Sequence, residues 1–254
     1  MRRAGRGRRL LAPPAGMTGM VDRGDDVLRT VATRALDLIV DGAKLGLGTG
    51  RAAAAFIAAL GERVRGGLRV TGVPTSSASA RLARDLGIPL VELTEDLELD
   101  LTIDGADEVA PTLDLIKGKG GALVRERIVA SASKRQVILV GKEKLVDRLG
   151  EHGTIPVEVI AFALGVVVRR MKMLGLAPAV RPDAGGTHPF VTESGNLILD
   201  CAVAKPVEDP HTLDRALRGI AGVVDTGLFL GTAERVLVGF HAGSRVEVLT
   251  RRGR

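Results

Sequence analysis

The sequence predicts an α/β fold: an open, doubly wound, mostly parallel sheet of the Rossmann-like kind, interrupted by a small α+β unit. Three observations predict it. From Asp25 onward, short apolar runs rich in β-branched residues alternate with helical stretches of about 10 to 15 residues, the rhythm of βαβ units. After "DRLGEHGT" the rhythm changes to strand, helix, strands, helix, strand, the order of a ferredoxin-like β-α-β-β-α-β unit with an extra strand or turn. The polar clusters of the first part all fall where predicted strands end, the edge at which a parallel sheet gathers loops and helix N-termini.

The elements follow in order. A helical stretch, Val27 to Val40, leads to the short run "KLGLGTG", the alanine-rich helix "RAAAAFIAAL", the strand "LRVTGV" and the helix "SASARLARDLG". Strands "PLVEL" and "LDLTID" come next, then a helix from about Ala122 to Ser133 and the strand "QVILV". The second rhythm comprises "IPVEV", a helix from Ile160 to Leu174, a strand from Ala179 to Arg181, strands around Phe190 and at "NLILD", a helix from Thr212 to Gly219, and "GVVD". "ERVLVGF" and "RVEVLT" then return to the first sheet. Residues 25–150 and 227–254 accordingly form a catalytic α/β domain, residues 151–226 an inserted α+β domain, and residues 1–24 a disordered Arg-rich leader within which Met17 and Met20 are alternative starts.

Charge and composition narrow the function. Of the formal +6, five arginines lie in residues 1–16 and three in the last four, so the body between them is net negative by two. That body offers no basic groove, and the absence of Trp and Tyr removes most base-stacking platforms, so nucleic acid is not an expected partner. Cys201 is the single cysteine, which excludes an internal disulfide and a Cys-based zinc cluster and fits a reducing, cytoplasmic setting. The four histidines are scattered without ligand spacing, so no metal is expected. The longest uncharged apolar run, Val159 to Val168, is ten residues, short of the roughly 18 that suggest a membrane span.

The chemistry concentrates at the strand ends. "GLGTGRAA" closes a strand and opens a helix, where free N–H groups and the helix dipole hold a phosphate; it lacks the spacing of a dinucleotide fingerprint, so a small phosphorylated ligand fits better. Asp104, Asp107 and Glu108 place three acids within five residues, with Lys117 and Lys144 on the same edge. Carboxylates and ammonium groups alternating around a glycine loop suit a site that binds sugar hydroxyls and stabilises a developing oxyanion. Glu126 has Ala122, Leu123, Val129 and Ala130 at helical spacing, so neither Arg125 nor Arg127 faces it. A carboxylate among apolar side chains has a raised pKa, as a general base near neutrality requires.

Taken together, "GLGTG", "TSSAS" with "LGIPL", "DGADEV", "LIKGKGGALVRERIVA", "KLVDRLG" with "PVEV", "TESGNLILD" and "GVVDTGLF" resemble type A ribose-5-phosphate isomerase from about residue 25 to 240. The resemblance implies interconversion of ribose 5-phosphate and ribulose 5-phosphate without metal or organic cofactor, in a homodimer or homotetramer. It implies Glu126 as the proton acceptor, Asp104 and Asp107 as residues that hold the open-chain sugar and assist proton movement at its oxygens, and Lys117 as the stabiliser of a cis-enediolate. It implies substrate binding by Thr49, Gly50, Arg51, Ala52, Gly105, Ala106, Gly118, Lys119, Gly120 and Lys144. The chain departs from the family where "GTGST" becomes Thr49-Gly50-Arg51-Ala52, "KGGG" becomes Lys117-Gly118-Lys119-Gly120, and "DxSK" becomes Gly141-Lys142-Glu143-Lys144. At the first departure, Arg51 either takes over part of a phosphate grip or points to solvent. Two rival classes, a sugar-phosphate-binding regulatory domain and an acyl-CoA transferase with a nucleophilic Glu, leave "DGADE" and its lysines unexplained.

Overall fold

The structure, a computed structural model, describes residues 23–240 and 245–251. Arg23 and Gly24, the end of the stretch read as a leader, open helix α1 (Arg23–Ala35); residues 1–22 lie outside the described residues. The chain continues through β1 (Ala43–Leu47), α2 (Arg51–Arg65), β2 (Val70–Pro74), α3 (Ser77–Asp85), β3 (Leu101–Asp104), β4 (Glu108–Val109), β5 (Leu115–Ile116), α4 (Leu123–Ser131) and β6 (Gln136–Gly141). Then follow β7 (Thr154–Val159), α5 (Leu164–Met173), β8 (Ala177–Val180), β9 (Leu197–Ala202), α6 (Pro210–Arg218), β10 (Val223–Thr226), β11 (Leu228–Phe229), β12 (Arg235–Gly239) and β13 (Val246–Thr250).

Among the described residues, six strands form the main sheet in the order β13-β12-β6-β3-β1-β2, parallel except for the β12–β13 pair. Every residue of β3 and β6 is buried, which is why these strands are near-continuous apolar runs: helices and loops cover both faces. The alternation of a strand divides β6 between two cores. Val137 and Leu139 join Val31, Phe56, Ile57 and Leu60 from α1 and α2, while Ile138 and Val140 join Leu123, Phe229 and Val236 on the other face. The chain crosses from β1 outward to β2 and then back to β3 on β1's other side. The β1/β3 junction is therefore a switch point, where the crevice of an open α/β sheet lies.

A second sheet has the order β10-β7-β9-β8, antiparallel throughout, with α5 between β7 and β8 and α6 between β9 and β10. This is the ferredoxin-like arrangement expected from the sequence, and its core gathers Val157, Val159, Val167, Met171, Leu199 and Leu217. Because β12 and β13 return to the first sheet, we propose that residues 151–226 fold as an inserted unit.

The sequence reading needs correction at three places. No strand forms around Phe190, where Pro189 and Val191 make only isolated bridges. "PLVEL" is no strand: Leu90 makes a single bridge to Gly72, after which Glu92, Leu93, Glu95 and Asp96 run exposed and the acid-rich segment stays in solvent. A third sheet, β11-β5-β4, leaves no mark in the sequence, because two-residue strands carry no visible period. No helix among the described residues is long and apolar enough to cross a membrane.

Candidate active site

The end of β3 anchors the site. Asp104 is fully buried, and its Oδ1 accepts hydrogen bonds from the amides of Thr49 (3.1 Å) and Gly105 (2.8 Å), tying together the loops on either side of the switch point. Gly48 makes this possible: a Cβ there would lie 2.2 Å from Asp104 Oδ1, so any side chain would displace the carboxylate. Lys117 arrives beneath the crevice from β5, its backbone amide held by the Gly227 carbonyl at 2.9 Å. Its buried Nζ lies 3.0 Å from Asp104 Oδ2 and 3.2 Å from Glu126 Oε2, and donates to the Gly105 carbonyl at 2.6 Å. Among the described residues neither of those two carboxylate oxygens has a donor besides the ammonium. Of the two residues only Glu126 lines the cavity, so its carboxylate is the one available to a ligand's hydroxyls.

Glu126, in the first turn of α4, is 3% exposed. Its flanking arginines face away as the helical spacing predicts, Arg125 to Glu193 and Arg127 to Asp225, but the carboxylate does have a cationic partner in Lys117, which approaches from outside the helix. Burial pushes its pKa from the ordinary 4.5 to about 7; Lys117 pulls against that rise, and Asp104 and Asp107 add repulsion. For Lys117, burial disfavours the ammonium, but the charges of Asp104 and Glu126 more than offset it, so its pKa stands above the usual lysine range and it stays protonated at neutrality. One ammonium thus serves two carboxylates, and the one without backbone donors holds its proton to near neutrality.

A stability prediction follows from the sign of that shift. Between about pH 4.5 and 7 the folded chain keeps the Glu126 proton that the unfolded chain releases, so the folded state loses stability as pH rises through this window. Glu126→Gln removes the titration. It is expected to raise the unfolding midpoint, relative to wild type, more at pH 8 than at pH 4.5; paired thermal melts showing the same difference at both pH values would contradict it.

The three neighbouring acids separate. Asp107 Oδ2 accepts from the Lys119 amide at 3.0 Å at the cavity wall. Glu108 turns the other way into the protein, where the amides of Gly150 (2.6 Å) and His152 (2.7 Å) satisfy it. It is an anchor for the β6–β7 connection and lies outside the site.

Above Lys117 and Glu126 lies a cavity of about 240 Å³. Its walls include Thr49, Gly50, Arg51 and Ala52 at the start of α2, Gly105, Ala106 and Asp107 after β3, Lys117, Gly118, Lys119 and Gly120, Glu126, and Lys144. Every residue assigned to the site from sequence therefore lines it except Asp104, which sits below the floor and reaches the cavity through Lys117. Leu28, Leu139, Val140, Gly141 and Glu143 complete the lining. Leu28 carried no sequence signal, since only the packing of α1 brings it there. Gly141 and Glu143 do stand at a strand end, and that position was the available clue. The Thr49 hydroxyl is 2.7 Å from that of Thr75, which turns it toward β2. Arg51 is mostly exposed and reaches Asp25 on α1 at 2.7 Å. A larger space of about 900 Å³ beside α3 and α4 is lined mainly by apolar residues such as Val73, Ile88, Leu93 and Ile128 and lacks this set of facing acids and lysines.

Comparison with known proteins points one way. The profile of a family described as ribose 5-phosphate isomerase A (phosphoriboisomerase A) matches residues 71–243. Ribose-5-phosphate isomerase A of Gloeobacter violaceus is 49% identical over 227 residues, covering 89% of this chain and 96% of that protein. The structure of ribose 5-phosphate isomerase A from Methanocaldococcus jannaschii superposes with a TM-score of 0.84 at 40% identity, covering 89% of this chain and 99% of that one. A D-ribose-5-phosphate isomerase in complex with phospho-erythronic acid superposes with a TM-score of 0.85 at 35% identity, covering 90% and 99%.

Proposed function

Since the chain belongs to the ribose 5-phosphate isomerase A family and is an isomerase of that kind, we propose that it interconverts D-ribose 5-phosphate and D-ribulose 5-phosphate through a cis-enediolate, with Glu126 as general base. The observation that carries this reading is the Lys117 ammonium set between Asp104 and Glu126 under a cavity whose far wall is a helix N-terminus. Ionised Glu126 takes the proton from C2 of the open-chain aldose. The electron pair left behind forms the C1–C2 double bond and moves charge to O1, where Lys117 stabilises it. Glu126 returns its proton to C1, while Asp107 assists transfer of the O2 proton toward O1, giving the ketose; Asp104 fixes Lys117 from below. The complex of a relative with phospho-erythronic acid, a phosphorylated sugar acid, supports a ligand of this class.

The phosphate belongs at the start of α2, where the first backbone amides of a helix point outward and favour an anion. Arg51 lines the same cavity wall, and its exposed pair with Asp25 is worth only about 0 to 1 kcal/mol against a phosphate dianion. Arg51→Ala is expected to raise the Michaelis constant about tenfold or more, in line with roughly 1.5 to 3 kcal/mol for a hydrogen bond to a charged group, with kcat little changed. An unchanged Michaelis constant at low and moderate salt assigns the phosphate to the backbone amides alone.

The direct test of function is a coupled assay for ribulose 5-phosphate formed from ribose 5-phosphate by the purified protein. Binding of ribose 5-phosphate by calorimetry without turnover would replace this reading with that of a regulatory sugar-phosphate sensor.

A further inference from the structure

The ferredoxin-like sheet reaches back into the active site through one side chain whose position no catalytic reasoning required. Arg181 directly follows β8 and its side chain is 13% exposed. One edge of its guanidinium is fixed by Asp200 on β9, with Nε 2.9 Å from Oδ2 and Nη2 2.5 Å from Oδ1, the bidentate fork that arginine makes with a carboxylate. That leaves Nη1, which donates to the carbonyls of Gly118 (2.8 Å) and Lys119 (3.1 Å). Both carbonyls belong to the loop between Lys117 and α4, in which Gly118 has a φ of +114° and the Lys119 amide holds Asp107.

We propose that Arg181, backed by Asp200, is a positioning residue for the isomerisation: it holds the Gly118–Lys119 backbone so that Lys117 stays between Asp104 and Glu126 and Asp107 stays at the cavity wall. This deepens the functional reading above and rests on it. The loop has a lysine and a carboxylate to present, yet it lies over a cavity and is rich in glycine, so its own backbone preferences do little to hold it. Gly227 secures Lys117 from the upstream side and Arg181 secures the residues just downstream, so the ammonium is fixed from both directions. The contact is costly to imitate. A lysine at 181 keeps the charge but loses the planar fork that binds Asp200 and the loop together.

The effect belongs to turnover more than to binding. The phosphate grip at the start of α2 is built on the backbone amides of a different element, whereas Lys117 acts on charge that exists mainly after proton abstraction, and a displacement of about 1 Å in a catalytic group costs up to about 100-fold. Arg181→Met is expected to lower kcat about 10- to 100-fold with the Michaelis constant within about threefold of wild type. Arg181→Lys should recover part of the loss, and Asp200→Asn should show a weaker form of the same defect.

A second readout separates positioning from scaffolding. The charged groups facing Glu126 are Lys117, Asp104 and Asp107; of these only Lys117 favours its ionised form, so a loosened Lys117 moves the acid limb of the kcat/KM profile to higher pH. The three variants are assayed on ribose 5-phosphate across pH 5.5 to 9, about the span in which a base of this kind titrates, with rates expressed per folded protein. Reduced kcat together with an upward shift of the acid limb supports the proposal. Unchanged kcat and an unshifted limb overturn it, even if the melting temperature falls, because the pair is then a structural tie between sheets. If Arg181→Met does not fold, Arg181→Lys and Asp200→Asn decide by the same two readouts. A wild-type protein inactive on ribose 5-phosphate overturns the functional reading itself, a result distinct from active variants that match an active wild type.

Discussion

Glu126→Gln is expected to abolish isomerisation while leaving sugar-phosphate binding within about threefold of wild type. The substitution keeps the size and an acceptor oxygen facing Lys117, so the floor of the cavity retains its shape, but an amide cannot accept the C2 proton. General-base catalysis is worth about 10²- to 10⁴-fold, and the loss should lie toward the upper end, because Asp104 is fully buried beneath Lys117 and Asp107 is held at the cavity wall by the Lys119 amide. The measurement is initial rate in the coupled assay, alongside exchange of the substrate's C2 hydrogen with solvent deuterium followed by NMR. Loss of both identifies Glu126 with proton abstraction. Activity within a factor of two of wild type would sink the assignment.

Lys117→Met should be almost as damaging, for two separable reasons. The first is catalytic. An enediolate oxygen left without its ammonium loses transition-state stabilisation of the size seen when an oxyanion donor is removed, about 10²- to 10³-fold in kcat, with little change in the Michaelis constant. The second is structural. Lys117 and its two partners are nearly inaccessible to solvent, and removing one member of a buried ion-paired set costs about 3 to 5 kcal/mol because the remaining charges are uncompensated. Without the ammonium, Glu126 keeps the upward push of burial and the repulsion of Asp104 and loses the one attraction that limited the shift, so its pKa must rise above about 7. The variant is therefore less destabilised at pH 5, where Glu126 carries its proton in both proteins, than at pH 8. A turnover number unchanged from wild type, with only the Michaelis constant raised, would give Lys117 a role in ground-state binding.

The sequence by itself determined the layering of this protein and which residue types gather at its candidate site. Parallel strands covered on both faces need mostly apolar runs, and helices between them need their own period, so β1, β2, β3 and β6 and the helices among them could be read without knowing what they touch. The change of rhythm after Gly150 announced the second sheet for the same reason. Glu126 was legible because its helical neighbours are apolar, and burial is indeed the largest cause of its raised pKa. Asp104 and Lys144 were legible because chain direction in a parallel sheet puts the ends of β3 and β6 on one edge.

Only the tertiary structure decided which charges meet. Asp107 and Glu108 are adjacent in the chain, yet one holds the lysine-glycine loop and the other caps backbone amides at Gly150 and His152. Lys117 pairs with Asp104 and Glu126 because strand β5 carries it beneath the β1/β3 crevice, and that strand is two residues long. Arg181 stands 62 or 63 positions from the carbonyls it binds and follows a strand of the second sheet. Periodicity, capping and turn chemistry act between residues a few positions apart, so they leave their mark in the sequence. A buried ion pair or a clamp across two sheets is fixed by strand order and register, and these depend on the whole chain folding at once.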